Sequence, residues 1–173
     1  MSAERAAAQV RLMGFDVDGV LTDGSLYFTP NGDEIKAFSS LDGHGLKMLQ
    51  SAGIRVAIIS GRSSRALELR AANLGIDELY MGVGDKRDCM RALVAAEGLS
   101  PQQAGYMGDD VVDLPVLRAC GFSAAPADAH EFVRQHVELV TSRGGGHGAV
   151  RETCDFILAA QGRLPAMLSA YLE

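Results

Sequence analysis

Two carboxylates stand two residues apart where an apolar run, Val10 to Phe15, gives way to glycine: Phe15-Asp16-Val17-Asp18-Gly19-Val20-Leu21-Thr22-Asp23. Extended residues at i and i+2 point to the same side, so Asp16 and Asp18 can face one site. Such a pair can divide labour, one acid staying ionised as nucleophile or metal ligand while the other keeps a proton to donate. The same residues also suit an ordinary Asp- and Gly-rich turn, and the motif alone leaves both readings open. An EF-hand loop is excluded: its twelfth position would be Tyr27 instead of Glu, and glycine falls at the fourth position instead of the sixth.

Three further groups carry chemistry. In Ile58-Ile59-Ser60-Gly61-Arg62 a hydroxyl, a glycine and a guanidinium follow an apolar run. A hydroxyl and free backbone N–H groups there can hold phosphate oxygens at a helix N-terminus, although Ser-Gly is also a common turn. Lys86 opens a helical segment after Gly82-Val83-Gly84-Asp85. A cation at a helix start opposes the macrodipole, so either a nearby anion or plain solvent exposure accounts for it. In Tyr106-Met107-Gly108-Asp109-Asp110-Val111-Val112-Asp113 an apolar run again leads into clustered carboxylates. Asp109 can join Asp16 in holding a hard cation such as Mg²⁺, which prefers oxygen ligands. Asp110 and Asp113 suit N-capping as well as the cluster. The histidines, His44, His130, His136 and His147, are scattered and suggest no zinc site.

The elements that must position these groups alternate between short apolar runs and helix-period segments, the pattern of a parallel sheet with crossover helices. Strands are predicted over 11–16, 55–60, 78–81, 105–108, 122–124 and 139–141, and helices over 43–52, 63–74, 86–97, 111–119, 129–134 and 149–161. Ser63 is placed as the N-cap of the second helix. Gly53, Gly75 and Gly98 each follow a helix as left-handed caps do. In an open α/β sheet, ligands bind at the carboxyl ends of the strands, where all four groups fall. One piece breaks the alternation: two β-like runs within 25–39 joined by Pro30-Asn31-Gly32-Asp33, a hairpin signal. Inserted directly after the acid pair, the hairpin is expected to project over the site. With apolar Leu26, Phe28, Ile35 and Phe38 and no stability of its own, it must pack on its own domain or on a partner.

The 173 residues suit one domain, 1–173, with a glycine-rich C-terminal tail over about 143–173. Composition is that of a soluble globular protein, 47% hydrophobic and 22% charged. A net charge of −6 argues against a nucleic-acid scaffold or an anionic-membrane binder, so any bound phosphate must be met by local donors. Cys89, Cys120 and Cys154 are odd in number and far apart, which points to buried thiols in a reducing compartment. No signal-peptide core or membrane-length apolar stretch is present, and a cytoplasmic location is expected.

Acid pair, hydroxyl, lysine and acid cluster, each after a strand and in this order, resemble the four motifs of the haloacid dehalogenase-like phosphohydrolase superfamily. The resemblance implies a Rossmann-like α/β fold and Mg²⁺-dependent phosphoryl transfer through an aspartyl-phosphate. It makes Asp16 the nucleophile and a metal ligand, and Asp18 the general acid and base with its backbone carbonyl on the metal. Ser60 and Lys86 would hold the transferring phosphoryl group, and Asp109 would complete the protein ligands of Mg²⁺.

The hairpin stands in place of a cap domain. Together with Phe38-Ser39-Ser40-Leu41-Asp42-Gly43, Leu74-Gly75-Ile76, Tyr80-Met81-Gly82 and the run Gly144 to Glu152, this cap-less form resembles the 3-deoxy-D-manno-octulosonate 8-phosphate (KDO 8-phosphate) phosphatase family, which acts in lipopolysaccharide precursor synthesis. That resemblance implies a homotetramer whose hairpins assemble into a shared barrel, a neighbouring subunit serving as the cap. It places Ser39, Ser40, Leu41, Asp42, Gly43, Lys47, Gly61, Arg62 and Arg70 around the sugar acid and closes the glycine-rich tail over a site. Lys47 stands where the family commonly has arginine and offers a point charge in place of a bidentate fork. A phosphatase of another 2-keto sugar acid, such as a nonulosonate 9-phosphate, would share every chemistry residue. A phosphatase-like regulatory or structural module is the rival from another class.

Overall fold

In the computed structural model, which describes residues 2–172, the apolar runs form a six-stranded, wholly parallel sheet. The two end residues, Met1 and Glu173, lie outside the described part of the expected 1–173 unit. The strands are β1 (Leu12–Phe15), β4 (Arg55–Ile59), β5 (Glu78–Tyr80), β6 (Ala104–Met107), β7 (Phe122–Ala125) and β8 (Leu139–Val140), with β2 (Tyr27–Phe28) and β3 (Glu34–Ile35) forming the hairpin. The sheet order is β5-β4-β1-β6-β7-β8. After β1 the chain winds outward through β4 and β5, then returns to lay β6 on the other side of β1. Between β1 and β6 the winding therefore reverses, and the crevice outside the carboxyl ends of such a pair is where open α/β sheets bind ligands.

Alternate residues of each strand enter opposite cores. Met13, Phe15, Val56 and Ile58 pack with α2 (Ser40–Ser51), α3 (Arg65–Leu74) and α7 (Ala149–Ala160), while Leu12, Ala57, Ile59 and Tyr106 pack with α4 (Lys86–Ala96) and α5 (Leu114–Leu117). Burial on both faces explains why the strands read as continuous apolar runs. The chain also forms α1 (Ala3–Ala7), α6 (Glu131–Arg134) and α8 (Leu164–Ser169); α1 and α8 are not among the predicted helices. No helix among the described residues is long and apolar enough to cross a membrane.

Most boundaries shift by a residue or two, and three differences from expectation bear on the turns around the site. The helix predicted over 111–119 is a 3₁₀ turn, Val111–Asp113, followed by the four-residue α5. Asp113 turns its carboxylate back onto the N–H groups of Asp109 and Asp110, and Pro115 has no N–H for the first turn. Ser64, not Ser63, caps α3, and its side chain makes no cap hydrogen bond. The first predicted helix begins at Ser40, three residues earlier than expected, because the Ser39 hydroxyl accepts from the Asp42 N–H. The cap glycines hold: Gly53, Gly75 and Gly98 have φ of 76°, 67° and 64°.

The glycine-rich run is packed on its own chain. Gly146 N–H donates to the Val20 carbonyl, and a Cβ on Gly145 would lie 1.9 Å from the Gly19 oxygen, so only glycine lets this segment approach the acid-pair loop. The run leads into α7, a core helix with Val150, Cys154, Ile157 and Leu158 buried.

Candidate active site

Asp16 is the first residue past β1, and its N–H donates to the Met107 carbonyl at the end of β6, so the backbone itself sets the two strand ends side by side. The chain then turns: Val20 and Thr22 N–H groups donate to the Val17 carbonyl, and Gly19 adopts φ 89°. A Cβ at Gly19 would fall 2.0 Å from Asp109 Oδ2, so glycine both permits the turn and makes room for the carboxylate from the neighbouring strand.

On the other side, the Ser60 N–H donates to the Tyr80 carbonyl and its own carbonyl accepts from Val83 N–H, fixing the end of β4 against the turn after β5. Its hydroxyl accepts from the Arg62 N–H at 3.1 Å. Lys86 opens α4, which Asp85 caps. It reaches back so that Nζ lies 2.8 Å from Asp16 Oδ1 and 2.7 Å from Asp113 Oδ1. Lys86 therefore has nearby anions, which settles the choice left open by the sequence. Asp113 is wholly buried, and its other oxygen accepts from the N–H groups of Asp109 and Asp110 at 3.2 and 3.4 Å. It orients the lysine and closes the turn that presents Asp109.

These groups line one open cavity of about 380 Å³, bounded by Asp16, Asp18, Ser60, Arg62, Lys86 and Asp109, with Gly61 among its remaining walls. Carboxylate oxygens of Asp16, Asp109 and Asp113 lie within 4.8 Å of one another. Burial above all, then the charge of Asp113, pushes Asp16 up to about 6 against the opposing pull of Lys86. Burial and the charges of Asp16, Asp113 and Asp110 push Asp109 up to about 7. Burial alone would lower Lys86, but the two carboxylates outweigh it and raise the lysine above its ordinary value.

The cluster fits a hard divalent cation. Its donors are all carboxylate oxygens, and Asp113 is already occupied by Lys86 and two N–H groups. Asp16 and Asp109 are left crowded in a buried setting where a cation would relieve their repulsion.

The hairpin does lean over this cavity, by a route the sequence reading missed. Lys36 Nζ contacts Asp18 Oδ1 and Glu34 Oε1, while Arg62 donates to Glu34 Oε2 at 2.9 Å and stands 3.7 Å from Asp18 Oδ2. The spacing Glu34-Ile35-Lys36 is the signal that could have found it, since it puts two charges on one face of an extended segment and an apolar side chain on the other.

The remaining expected sugar-acid residues are not brought to this cavity within the chain. Ser40, Gly43, Lys47 and Arg70 line a separate shallow depression with His44, and Leu41 borders another beside Arg143 and Arg151. Arg70 donates to the Ser39 carbonyl at 3.0 Å and lies over the Phe38 ring. Asp42 is a correction: only 1% exposed, it accepts from the Gly148 and Arg151 N–H groups and so ties α2 to the start of α7, with no face open to a ligand.

Comparison with known proteins adds an independent line. Residues 26–121 match the model of the haloacid dehalogenase-like hydrolase family. The Escherichia coli (strain K12) 3-deoxy-D-manno-octulosonate 8-phosphate phosphatase is 44% identical over 158 residues, 91% of this chain and 84% of that protein. The phosphatase of the same name from Moraxella catarrhalis, solved with magnesium, phosphate and KDO, superposes with a TM-score of 0.95 at 37% identity, covering 98% of this chain and 97% of that one. The cobalt-bound Haemophilus influenzae deoxy-D-mannose-octulosonate 8-phosphate phosphatase superposes with a TM-score of 0.92 at 43% identity, covering 97% and 99%.

Proposed function

The chain belongs to the KDO 8-phosphate phosphatase family of haloacid dehalogenase-like hydrolases, which are phosphoric monoester hydrolases, and we propose that it is a Mg²⁺-dependent phosphatase releasing phosphate from KDO 8-phosphate. One observation carries the reading: Asp16, held by Lys86 at the β1–β6 reversal, shares a cavity with Asp18, Ser60 and Asp109.

In the proposed reaction an Asp16 oxygen attacks phosphorus and the bond to the sugar oxygen breaks. Asp18 gives its proton to the departing alkoxide, leaving a phosphoryl group on Asp16. Water then attacks that phosphorus, Asp18 takes the water's proton, and the bond to Asp16 breaks to release phosphate. Ser60, the N–H groups around Gly61 and Lys86 hold the phosphoryl oxygens while charge moves between attacking and leaving atoms. Mg²⁺ held by Asp16, Asp109 and the Asp18 carbonyl would offset the repulsion between the carboxylate and the phosphate dianion.

The depression lined by Ser40, Gly43, Lys47 and Arg70, with Ser39 and Leu41 beside it, is assigned to the sugar acid of a neighbouring subunit's substrate. Exposed Leu26, Tyr27, Phe28 and Ile35 on the hairpin support assembly into a homotetramer, since apolar side chains clustered on one small element ask for a partner. The proposed setting is the cytoplasm, on the route to lipopolysaccharide precursors. Hydrolysis of a sugar-phosphate panel with Mg²⁺ and with chelator, in wild type and Asp16→Asn, tests the reaction. Turnover of nonulosonate 9-phosphates equal to that of KDO 8-phosphate would overturn the substrate assignment.

A further inference from the structure

Lys36 stands out because its side chain is only 2% exposed although the hairpin that carries it is open to solvent, with Tyr27, Phe28 and Ile35 all more than half exposed. Withdrawing an ammonium from water is unfavourable unless anions meet it. Here two do: Asp18 and Glu34 flank Nζ and, against the opposing effect of burial, raise the lysine above its ordinary value. Arg62 closes the ring from the far side, bonded to Glu34 and near Asp18. Two acids and two cations thus alternate across the cavity mouth, joining the hairpin, the acid-pair loop and the turn after Ser60.

The Asp18 carboxylate has no polar partner among the described residues besides Lys36 and Arg62, and Arg62 is the farther of the two. The two oxygens are fixed relative to each other, so whatever grips one also aims the other. We propose that Lys36 is a positioning residue for Asp18: by donating to Oδ1 it leaves Oδ2 as the oxygen that carries the transferred proton and aims it at the leaving group, and Glu34 holds Lys36 in turn. The inference rests on the reading that Asp18 moves the proton, and it makes the hairpin part of its own subunit's active site as well as an assembly element. A 1 Å misplacement of a reacting group can lower a rate by roughly 10²-fold, which sets the scale of the effect.

The test is kcat/KM for p-nitrophenyl phosphate, phenyl phosphate and an alkyl phosphate, measured for wild type, Lys36→Met, Lys36→Arg and Asp18→Asn alongside thermal midpoints. An anionic leaving group that is stable unaided needs little protonation, whereas an alkoxide needs it fully. Lys36→Met is expected to lose roughly 10²-fold more on the alkyl ester than on p-nitrophenyl phosphate, the same ordering of losses as in Asp18→Asn. Lys36→Arg is expected to restore most of that loss. Equal losses on all three substrates, or none, would overturn the proposal. If Lys36→Met does not fold, Glu34→Gln is read in the same way. Should wild type hydrolyse none of the esters in an Asp16-dependent manner, the reading of the reaction itself would fail instead.

Discussion

Lys86 Nζ lies 2.8 Å from Asp16 Oδ1, so the proposed nucleophile is held by the cation that opens the helix after β5. With Asp113 at 2.7 Å on its other side, Lys86 is the charge that allows two buried carboxylates to coexist. Lys86→Met therefore removes both a phosphoryl-holding cation and the partner of both acids. Activity is expected to fall by at least about 10²–10³-fold. Stability is expected to fall by about 3–5 kcal/mol at pH 8, the effect of breaking a buried pair from one side. Steady-state rates and denaturant unfolding of the variant check both.

The acid cluster makes the metal-free protein pH-sensitive in an unusual direction. Asp16 is pushed up to about 6 and Asp109 up to about 7 from the ordinary 3.8, so the folded chain binds protons that the unfolded chain releases. The stability these groups contribute is fully present below the unfolded value and is lost as pH rises through 6 and then 7. In chelator, the thermal midpoint is expected to fall across that window, and Asp109→Asn is expected to flatten its upper part. Mg²⁺ is expected to restore the midpoint at pH 8 in wild type and not in Asp109→Asn. Thermal scans across pH decide this, and parallel curves for the two proteins would count against the cluster.

Gly19→Ala is expected to harm the metal site more than the fold. A left-handed φ costs an L-residue roughly 1–2 kcal/mol, and the new Cβ would fall on Asp109 Oδ2. Displacing that oxygen is expected to weaken Mg²⁺ activation by roughly 10–100-fold. Gly32→Ala is the matched control, with φ of 88° at the hairpin tip and nothing within 4 Å of its would-be Cβ. It is expected to lose stability alone. Titration of activity against Mg²⁺ separates the two.

Asp42→Ala is expected to act through the fold. It strands the Gly148 and Arg151 N–H groups, at about 1–3 kcal/mol of stability. That corresponds to a lowering of the thermal midpoint by roughly 2–4 °C per kcal/mol, while KM for the phosphate ester stays as in wild type. A raised KM at unchanged midpoint would instead return Asp42 to the substrate pocket.

Asp16, Asp18, Ser60, Lys86 and Asp109 are legible in the sequence because each follows a strand at the sheet's carboxyl edge, and a parallel sheet gathers those edges by itself. Lys36 and Glu34 are not, since a hairpin's fold-back over a site is tertiary: alternation says which residues share a face, not what that face meets. Asp113 sits in a segment whose residue types suit a helix cap equally well, and only the reach of Lys86 from another helix distinguishes its role. Asp42 enters the expected pocket by resemblance alone, and its burial against α7, more than a hundred residues further along the chain, has no local signature.

The most direct test is kcat/KM for KDO 8-phosphate in saturating Mg²⁺, compared between wild type and Asp16→Asn. The wild-type value is expected within the enzymatic range of about 10⁴–10⁸ M⁻¹s⁻¹, with loss of most of it in a variant that differs only by one nucleophilic oxygen. Absence of turnover in wild type, or undiminished turnover in Asp16→Asn, would contradict the proposed reaction.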